Sequence, residues 1–162
     1  MTGNKSKKFR HNREKSAIME IKIKKLTATA KIPTRESASA AGYDLYADIT
    51  EEIRVKPHET VKVDTGVAME IPEGYFGGIA ARSGLASKEG LRPANCYGIV
   101  DSDYRGPIIV ALHNDSEVER VVTPQERIGQ IIIQPYLNVT FCEVEDLSET
   151  DRGSNGFGST GK

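Results

Sequence analysis

TVKVDTGVAMEIPEGYFGGIAA, residues 60–81, decides the fold class that this chain is expected to adopt. Its first residues alternate between apolar Val61 and Val63 and polar Lys62 and Asp64, and the apolar runs that follow are separated by the turn sequence IPEG. A period of two places successive side chains on opposite faces of a strand, whereas a helix needs a period of 3.6 residues. The stretch therefore predicts consecutive β-strands joined by turns.

The same texture continues along the chain, with short apolar segments separated by Gly, Pro, Asp and Asn. A helical turn or two is expected only around residues 83–90. The pattern predicts an all-β domain, a distorted jelly-roll or β-sandwich. The IGQIII run, residues 128–133, is apolar enough to be buried on both faces, which favours packing against a neighbouring subunit. Candidate strands occupy residues 21–26, 52–56, 60–71, 75–81, 96–101, 107–114, 121–123, 128–137 and 139–145.

The composition is that of a single globular domain. The chain has 162 residues, of which 38% are hydrophobic and 28% charged. It contains no apolar run near the roughly 20 residues that cross a bilayer, so no membrane association is expected. The low cysteine count and the absence of an apolar signal segment favour a reducing, cytoplasmic compartment. We expect Cys96 and Cys142 to be small buried hydrophobic residues.

The net charge of −1 conceals an asymmetry along the chain. Residues 1–25 hold nine Lys and Arg against two Glu, so the remainder holds 13 basic against 21 acidic side chains. An acidic body argues against specific nucleic-acid binding, because that affinity depends on neutralising phosphates. Residues 1–18 could touch nucleic acid, but the composition favours a disordered basic leader ahead of a β domain over residues 19–150.

Two segments combine charged side chains with turn residues. GIVDSDYRG, residues 98–106, places Asp101, Tyr104 and Arg105 at the turn of a hairpin between apolar strands, although Asp and Gly are also common in ordinary turns. ARSGLASK, residues 81–88, could offer a guanidinium, a hydroxyl and backbone N–H groups to an anion. Its alternative interpretation is a capped short helix.

Two further segments carry isolated polar side chains in apolar surroundings. AGYDLY, residues 41–46, is apolar except for Asp44, which is expected to be a buried hydrogen-bond acceptor that braces neighbouring loops. In RIGQIII, residues 127–133, Arg127 and Gln130 are either structural or directed towards an anion. No one of the four segments decides a function alone.

Together and in this order, the motifs resemble those of the trimeric dUTPase family. AGYDLYAD is similar to the first family motif, RSGLASK to the second, GIVDSDYRG to the third, RIGQIII to the fourth and the C-terminal RGSNGFGSTGK to the fifth. The resemblance covers residues 20–162. It implies a homotrimer that hydrolyses dUTP to dUMP and pyrophosphate, with active sites shared between subunits.

The resemblance assigns the catalytic step to the third motif. Asp101 would orient and deprotonate a water that attacks the α-phosphorus, and a carboxylate is ionised at neutral pH without special tuning. Tyr104 would lie under the deoxyribose and leave no room for a 2′-hydroxyl. The uracil edge would be read by main-chain groups of the preceding strand and by the side chain of Asn95. The main-chain groups belong to Gly98, Ile99 and Val100.

The resemblance assigns the phosphates to the second and fourth motifs. Arg82, Ser83 and Gly84 would bind phosphate oxygens, with Gln130 as a further contact. Mg²⁺ would be held by the triphosphate and by waters, with no direct protein ligand, which suits a hard cation that dehydrates reluctantly. Asp44 and Arg127 would support the site structurally.

The last motif would form a flexible lid over residues 151–162. Its four glycines make ordering costly, at roughly 1 to 2 kcal/mol for each residue fixed, so contacts with the nucleotide would have to offset that cost. Phe157 would stack on the base. Asn155 stands where the family commonly has glycine. The expected phosphate contacts of the lid are Arg152, Gly158, Ser159 and Thr160.

Two alternative functions remain open on the same fold. One is a dCTP deaminase or a bifunctional relative, which the RSGLA sequence and the full glycine-rich lid disfavour. The other is a regulatory protein that keeps the nucleotide site as a sensor, which the retained Asp101, Tyr104 and Phe157 disfavour.

Overall fold

The computed structural model describes residues 19–156, which form one β-rich body with a single short helix among these residues. The helix, α1, spans Ser83–Glu89. It ends at Gly90, whose φ of 73° is the left-handed conformation that a helix C-terminus commonly needs. The strands are β1 Lys22–Lys25, β2 Tyr43–Tyr46, β3 Ile53–Val55, β4 Thr60–Asp64, β5 Val67–Glu70, β6 Tyr75–Ala80, β7 Leu91–Pro93, β8 Gly98–Val100, β9 Ile109–Asn114, β10 Arg120–Val122 and β11 Arg127–Pro135.

The strands form four antiparallel sheets, so the predicted all-β fold is confirmed. A four-stranded sheet has the order β2-β11-β6-β8, and a three-stranded sheet has the order β4-β9-β7. Two small ribbons, β1-β5 and β10-β3, complete the body. A core of buried aliphatic side chains lies between these layers, and it includes Leu45, Leu112 and Ile128, each fully buried. Burial of this apolar surface is the main force that holds the sheets together.

Most of the predicted strands are present, and the helix lies where SGLASKEG indicated. The segment 60–71 forms two strands instead of one, because Gly66 adopts a φ of 66° and breaks the extended backbone. The Thr65 hydroxyl donates a hydrogen bond to the Ile108 carbonyl at 2.6 Å, and this fixes the break in place. The alternating pattern therefore located the strands but not the turn between them.

Two strands were missed, and one predicted strand is wrong. Strand β2 was not predicted because Asp44 interrupts its apolar pattern, and β7 was not predicted because it ends in a proline, which cannot donate a ladder hydrogen bond. Residues 139–145 form no strand, since they pair with no other segment among the described residues. A strand needs a hydrogen-bonded neighbour, which side-chain alternation alone cannot supply.

Two further expectations are corrected by the structure. Residues 98–106 do not form a β-hairpin, because β8 pairs with β6 while β9 pairs with β4 and β7. The segment is a loop that crosses from one sheet to the other. Cys96 and Cys142 are exposed free thiols in this chain rather than buried residues, since both lie outside the strands that build the core.

Strand β11 is only partly buried in the single chain, whereas its apolar run predicted burial on both faces. Ile128 and Ile131 are buried in the core, whereas Ile132 and Ile133 are half-buried in the isolated chain. Within residues 19–156, the helix is too short and too polar to span a membrane.

Candidate active site

The loop after β8 holds its side chains by contacts within the loop itself. The Arg105 guanidinium donates hydrogen bonds to the carbonyls of Ser102 at 2.6 Å and Tyr104 at 2.9 Å. The Tyr104 hydroxyl donates to the Pro107 carbonyl at 3.0 Å, and the residue as a whole is 44% exposed. Arg105 and Tyr104 therefore fix the shape of the loop, and Tyr104 keeps part of its surface accessible.

Gly106 makes room for the Tyr104 ring. A Cβ added at Gly106 would lie 2.6 Å from Cζ of Tyr104, which is closer than side chains can approach. The glycine is thus required by packing, because its φ does not lie in the left-handed region. Any larger residue at this position would displace the tyrosine.

Asp101 and Ile99 line an open cleft of about 830 Å³. Asp101 is exposed, so its carboxylate can contact a bound molecule or a water. The cleft lies between the loop after β8 and the turn that joins β5 to β6. Its other lining residues are Glu70, Ile71, Pro72, Glu73, Phe76, Ser102, Asp103, Arg105 and Tyr136.

Strand β8 is the edge strand of the four-stranded sheet, so one side of its backbone has no strand partner among the described residues. Gly98 lies against Asn95, whose side-chain nitrogen would be 3.1 Å from a Cβ at residue 98. Backbone groups of an edge strand are free to pair with another molecule. The structure therefore brings Asn95 together with the three residues that were predicted to read the base.

Tyr97 and Phe76 support this strand, and sequence reasoning did not identify them as site residues. The Tyr97 ring lies on Gly78, where a Cβ would be 2.9 Å from the ring carbon Cε2. Its hydroxyl donates to the side-chain oxygen of Gln134. The rings of Phe76 and Tyr97 meet edge to face with centroids 6.4 Å apart. The GG pair of β6, which lets an aromatic ring approach the sheet, was the signal that could have revealed this contact.

A second, smaller cleft of about 230 Å³ contains four residues that were predicted to bind phosphate: Arg82, Ser83, Gly84 and Gln130. The Gln130 amide donates to the Ala81 carbonyl at 2.8 Å, and its side chain passes over Gly42, where a Cβ would lie 3.0 Å from Cδ. Ser83 and Gly84 are exposed at the start of α1. The cleft thus presents a guanidinium, a hydroxyl and an amide side by side.

Asp44 is the buried acceptor that the sequence predicted. One carboxylate oxygen accepts a hydrogen bond from Nε of Arg82 at 2.9 Å, and the other accepts from Nη1 of Arg127 at 3.2 Å. Only 12% of its side chain is exposed. Asp44 therefore links the second and fourth motifs and orients Arg82 towards the smaller cleft.

Arg127 is held between two carboxylates. Partial burial would lower the pKa of the Arg127 guanidinium, but the charges and hydrogen bonds of Glu36 and Asp44 together raise it. A bulge between Arg127 and Gly129 shifts the pairing of β11 with β2 at this point. Arg127 is thus occupied by structural contacts.

The two clefts lie at opposite ends of strand β6. Val100, which precedes Asp101, pairs with Gly77, whereas Gln130 pairs with Ala80 at the other end. Arg82 is five positions after Gly77 in extended backbone, which corresponds to about 17 Å between their Cα atoms. Within one chain, the carboxylate of Asp101 and the guanidinium of Arg82 therefore do not face the same small group of atoms.

The predicted lid is described only in part. Arg152 donates from Nε to the Asn155 carbonyl at 2.9 Å, and the Asn155 N–H donates to the Arg152 carbonyl at 3.2 Å, so both belong to a local turn. Arg152 lines neither cleft. Phe157, Gly158, Ser159 and Thr160 lie outside the described residues.

Comparison with known proteins gives a single family. The dUTPase family model matches residues 28–161. A deoxyuridine 5′-triphosphate nucleotidohydrolase of Nautilia profundicola is 46% identical over 144 residues, which are 89% of this chain and 100% of that protein. A probable enzyme of the same name from Schizosaccharomyces pombe is 45% identical, over 88% of this chain and 99% of its own.

The fold agrees with solved structures of the same family. A staphylococcal phage 80alpha dUTPase variant with dUpNHpp superposes with a TM-score of 0.81 and 29% identity, covering 88% of this chain and 99% of its own. The family model covers more than half of this chain, and the match includes every strand except β1. Residues 1–27 precede the family match.

Proposed function

The chain belongs to the dUTPase family, and on that premise we propose how its residues hydrolyse dUTP to dUMP and pyrophosphate. The reaction removes the precursor of uracil in DNA and supplies dUMP for dTTP synthesis. We infer that each active site is completed by three copies of the chain, which contribute the Asp101 cleft, the Arg82 cleft and the C-terminal lid respectively.

The separation of the two clefts is the observation that carries this proposal. The α-phosphorus attacked by water lies next to the β- and γ-phosphates, so the base that activates the water and the groups that bind the phosphates must be neighbours. In one chain, Gly77, which pairs with the residue before Asp101, and Arg82 are about 17 Å apart along the extended backbone. A second copy that places its Arg82 cleft beside the Asp101 cleft of the first would bring them together.

The exposed apolar arm after β11 supports an oligomer. Leu137, Phe141 and Leu147 are 86%, 97% and 87% exposed in the isolated chain. Several large apolar side chains exposed within one short segment are typical of a surface that another molecule covers. The half-buried Ile132 and Ile133 of β11 add to the apolar surface that a homotrimer would bury.

Asp101 is the proposed general base. Its exposed carboxylate faces a cleft wide enough for a nucleotide, at the end of a strand held in a four-stranded sheet. Accepting a proton from water while that water attacks the α-phosphorus in line, with pyrophosphate leaving on the opposite side, needs a base within hydrogen-bond reach of the water. The rigid strand before Asp101 provides a fixed position for that base.

The residues around Asp101 provide specificity for the nucleoside. The exposed ring of Tyr104, held by its hydrogen bond to Pro107, would lie under the deoxyribose and exclude a 2′-hydroxyl. Edge-strand groups of Gly98, Ile99 and Val100, with Asn95, would pair with the uracil edge. Cytosine would leave some of these buried groups unpaired, which can reduce kcat/KM by on the order of 10⁴-fold.

The smaller cleft provides the phosphate contacts. Arg82, oriented by Asp44, would form charge-assisted hydrogen bonds, and Ser83, Gly84 and Gln130 would complete the set. Arg152, Phe157, Gly158, Ser159 and Thr160 of the lid would then close over the base and the outer phosphates, excluding water from the site.

The acidic side chains of the larger cleft would meet Mg²⁺ only through its waters, because residues 19–156 contain no group of three His, Cys, Asp or Glu side chains placed to hold a metal ion. Asp101, Asp103 and Glu73 present exposed carboxylate oxygens there. Such oxygens can accept hydrogen bonds from the water molecules that a hard cation keeps bound. We propose that the ion is carried by the triphosphate and reaches these carboxylates through its waters. When bound, it would neutralise part of the phosphate charge.

A mixing experiment tests the shared site. The Asp101→Asn and Arg82→Ala variants are each expected to be at least about 10²-fold slower than the unmodified enzyme. The two variants are unfolded together and refolded as mixed trimers. If each site takes Asp101 from one chain and Arg82 from its neighbour in a closed ring, about a quarter of the sites receive both residues intact. Recovery of that fraction of activity supports sharing, whereas no recovery shows that both residues serve the same site from one chain.

A nucleotide panel separates the two alternatives on this fold. Pyrophosphate release from dUTP, with little from dCTP, dTTP or UTP, is expected for the proposed enzyme. Deamination of dCTP would indicate the first alternative. Tight dUTP binding without turnover would indicate a sensor.

A further inference from the structure

Glu36 places a second carboxylate at the smaller cleft, and the proposed reaction does not use it. Glu36 lines that cleft together with Asp44 and Arg82. Its side chain is 78% exposed, whereas only 12% of the Asp44 side chain is exposed. An accessible carboxylate repels a phosphate that enters the same cleft, so its effect on the ligand has to be accounted for.

The loop before β2 holds the backbone of Glu36 in place. Thr34 forms a β-bridge with Asp44, and the Asp44 N–H donates to the Thr34 carbonyl at 2.7 Å. Inside the loop, the Arg35 guanidinium donates to the Ala38 carbonyl at 3.0 Å. Glu36 is thus carried by a closed loop at the rim of the cleft, so only its own side-chain torsions can move its charge.

Glu36 and Asp44 share one nitrogen of Arg127. Nη1 of Arg127 donates to Oε2 of Glu36 at 2.5 Å and to Oδ2 of Asp44 at 3.2 Å. An Nη nitrogen carries two N–H groups, so these two contacts use both of them. The other oxygen of Asp44 accepts from Arg82. The four side chains therefore form a row in which two carboxylates alternate with two guanidiniums.

The charge of this row decides which form of a ligand the cleft favours. With two carboxylates against two guanidiniums, the row has no net positive charge to offer a chain of phosphates. Without the charge of Glu36 it would have one. A divalent cation offsets two of the roughly four negative charges of a free triphosphate, so the two forms of the ligand differ in how strongly Glu36 repels them.

We propose that Glu36 is a specificity-determining residue of the smaller cleft: its charge disfavours the free triphosphate and thereby favours the triphosphate that carries a divalent cation. The inference rests on the proposed function, since it concerns the phosphate contacts of that site. Glu36 is not needed to hold Arg127, because the more buried Asp44 also binds it and an exposed ion pair contributes little to stability.

The expected size of the effect follows from the dimensions of the cleft. A sphere of its volume, about 230 Å³, is about 8 Å across, so a phosphate inside it lies roughly 6 Å from the Glu36 carboxylate. Two unit charges at that distance change a dissociation constant by roughly 3- to 10-fold when the effective dielectric constant is between about 80 and 40. Halving the charge of the ligand halves the energy, so it reduces the factor to its square root.

The test measures the dissociation constant of the unhydrolysed analogue dUpNHpp by calorimetry at low salt, with Mg²⁺ and with a chelator. The full chain is compared with Glu36→Gln. The variant is expected to bind the analogue about 5-fold more tightly than the unmodified chain when the metal is removed, and about 2-fold more tightly in Mg²⁺. At about 1 M salt, where the Debye length is about 3 Å, the two proteins are expected to differ little.

Two control variants separate local charge from net charge and from shape. Glu119→Gln removes a carboxylate that is paired with Arg54, and neither residue lines the two clefts. It should leave dUpNHpp binding unchanged in both conditions. Glu36→Asp keeps the charge and should retain the metal dependence of the unmodified chain. An equal gain of affinity in Glu119→Gln would attribute the effect to net charge and overturn the proposal.

Three other results would also overturn it. They are equal affinity of the two proteins for the metal-free analogue, weaker binding by Glu36→Gln, which would mean that Glu36 holds Arg127 in position for the ligand, and a gain of the same size with and without Mg²⁺. Failure of the proposed function is distinguishable, because an unmodified chain that binds dUpNHpp without hydrolysing dUTP still reports on Glu36.

Discussion

Replacement of Asp44 by Asn tests whether one buried carboxylate positions the phosphate-binding guanidinium. Asp44→Asn keeps the size of the side chain but removes the charge that holds Nε of Arg82 at 2.9 Å. Asn can present one acceptor oxygen, so it cannot serve Arg82 and Arg127 as the carboxylate does. Arg127 retains its contact with Glu36. Arg82 is therefore the residue expected to move.

The size of the effect follows from the exposure of the pair. Removing one partner of a fully buried ion pair costs 3–5 kcal/mol, because the other charge is left without compensation. The Arg82 side chain is 28% exposed, so water recovers part of that loss, and we expect a cost of about 2 kcal/mol. For a chain of this size, that cost lowers Tm by about 4 to 8 °C.

The assay measures both thermal stability and kinetics, because a purely structural role and a positioning role of Asp44 would differ only in their effect on the kinetics. Tm is measured at one fixed protein concentration, since association of subunits would otherwise shift it. If Arg82 binds phosphate, KM for dUTP is expected to rise about 10-fold, the effect of losing roughly 1.4 kcal/mol of binding. The change in kcat is expected to be smaller.

A matched control removes a carboxylate partner from an arginine elsewhere. Glu119→Gln breaks the 2.8 Å contact with Arg54 on the β10-β3 ribbon, and neither residue lines a cleft. This variant is expected to leave KM unchanged. An Asp44→Asn enzyme with normal Tm and normal KM would refute the role that we assign to Asp44.

Three further substitutions address the loop, the surface and the arm. Gly106→Ala is expected to displace Tyr104 and to reduce the preference for dUTP over UTP about 10-fold, measured as the ratio of kcat/KM values. The hydrogen bond from Arg92 lowers the pKa of Asp115, so the ionised carboxylate stabilises the fold above about pH 4 and this stabilisation is lost as the pH falls further. The urea midpoint of Asp115→Asn should therefore lie below that of the unmodified chain at neutral pH, and the two midpoints should converge in acid. Phe141→Ser is expected to shift the chain towards smaller species in light scattering at micromolar concentration.

The loop and arm variants each have a control within the chain. Gly129→Ala adds a Cβ whose nearest neighbour is 3.5 Å away, so it should leave the dUTP to UTP ratio unchanged. Val118→Ser alters an exposed apolar residue outside the arm and should leave the assembly intact. An unchanged substrate ratio in Gly106→Ala, or an unchanged mass in Phe141→Ser, would contradict the corresponding prediction. For Asp115→Asn, midpoints that differ equally at all pH values would do so.

Local pattern was sufficient for most of the fold. Alternation and turn residues located nine of the eleven strands in the described residues, all but β2 and β7, because apolar residues and the turn residues around them mark these segments in the local sequence. The same reasoning failed for residues 139–145, which alternate but pair with nothing among the described residues. It also failed for the supposed hairpin at 98–106, since the pairing of β8 with β6 depends on contacts distant along the chain.

The sequence by itself determined the all-β class, the order of the five motifs and the residue types that carry the chemistry, because these follow from composition and short spacing. Only the tertiary structure decided that Asp44 joins Arg82 to Arg127, that Tyr97 and Phe76 support strand β8, and that the Asp101 and Arg82 clefts lie at opposite ends of β6. The physical reason is that strand pairing brings together segments far apart in the chain. No local sequence pattern indicates which other strand will pair with a given strand edge.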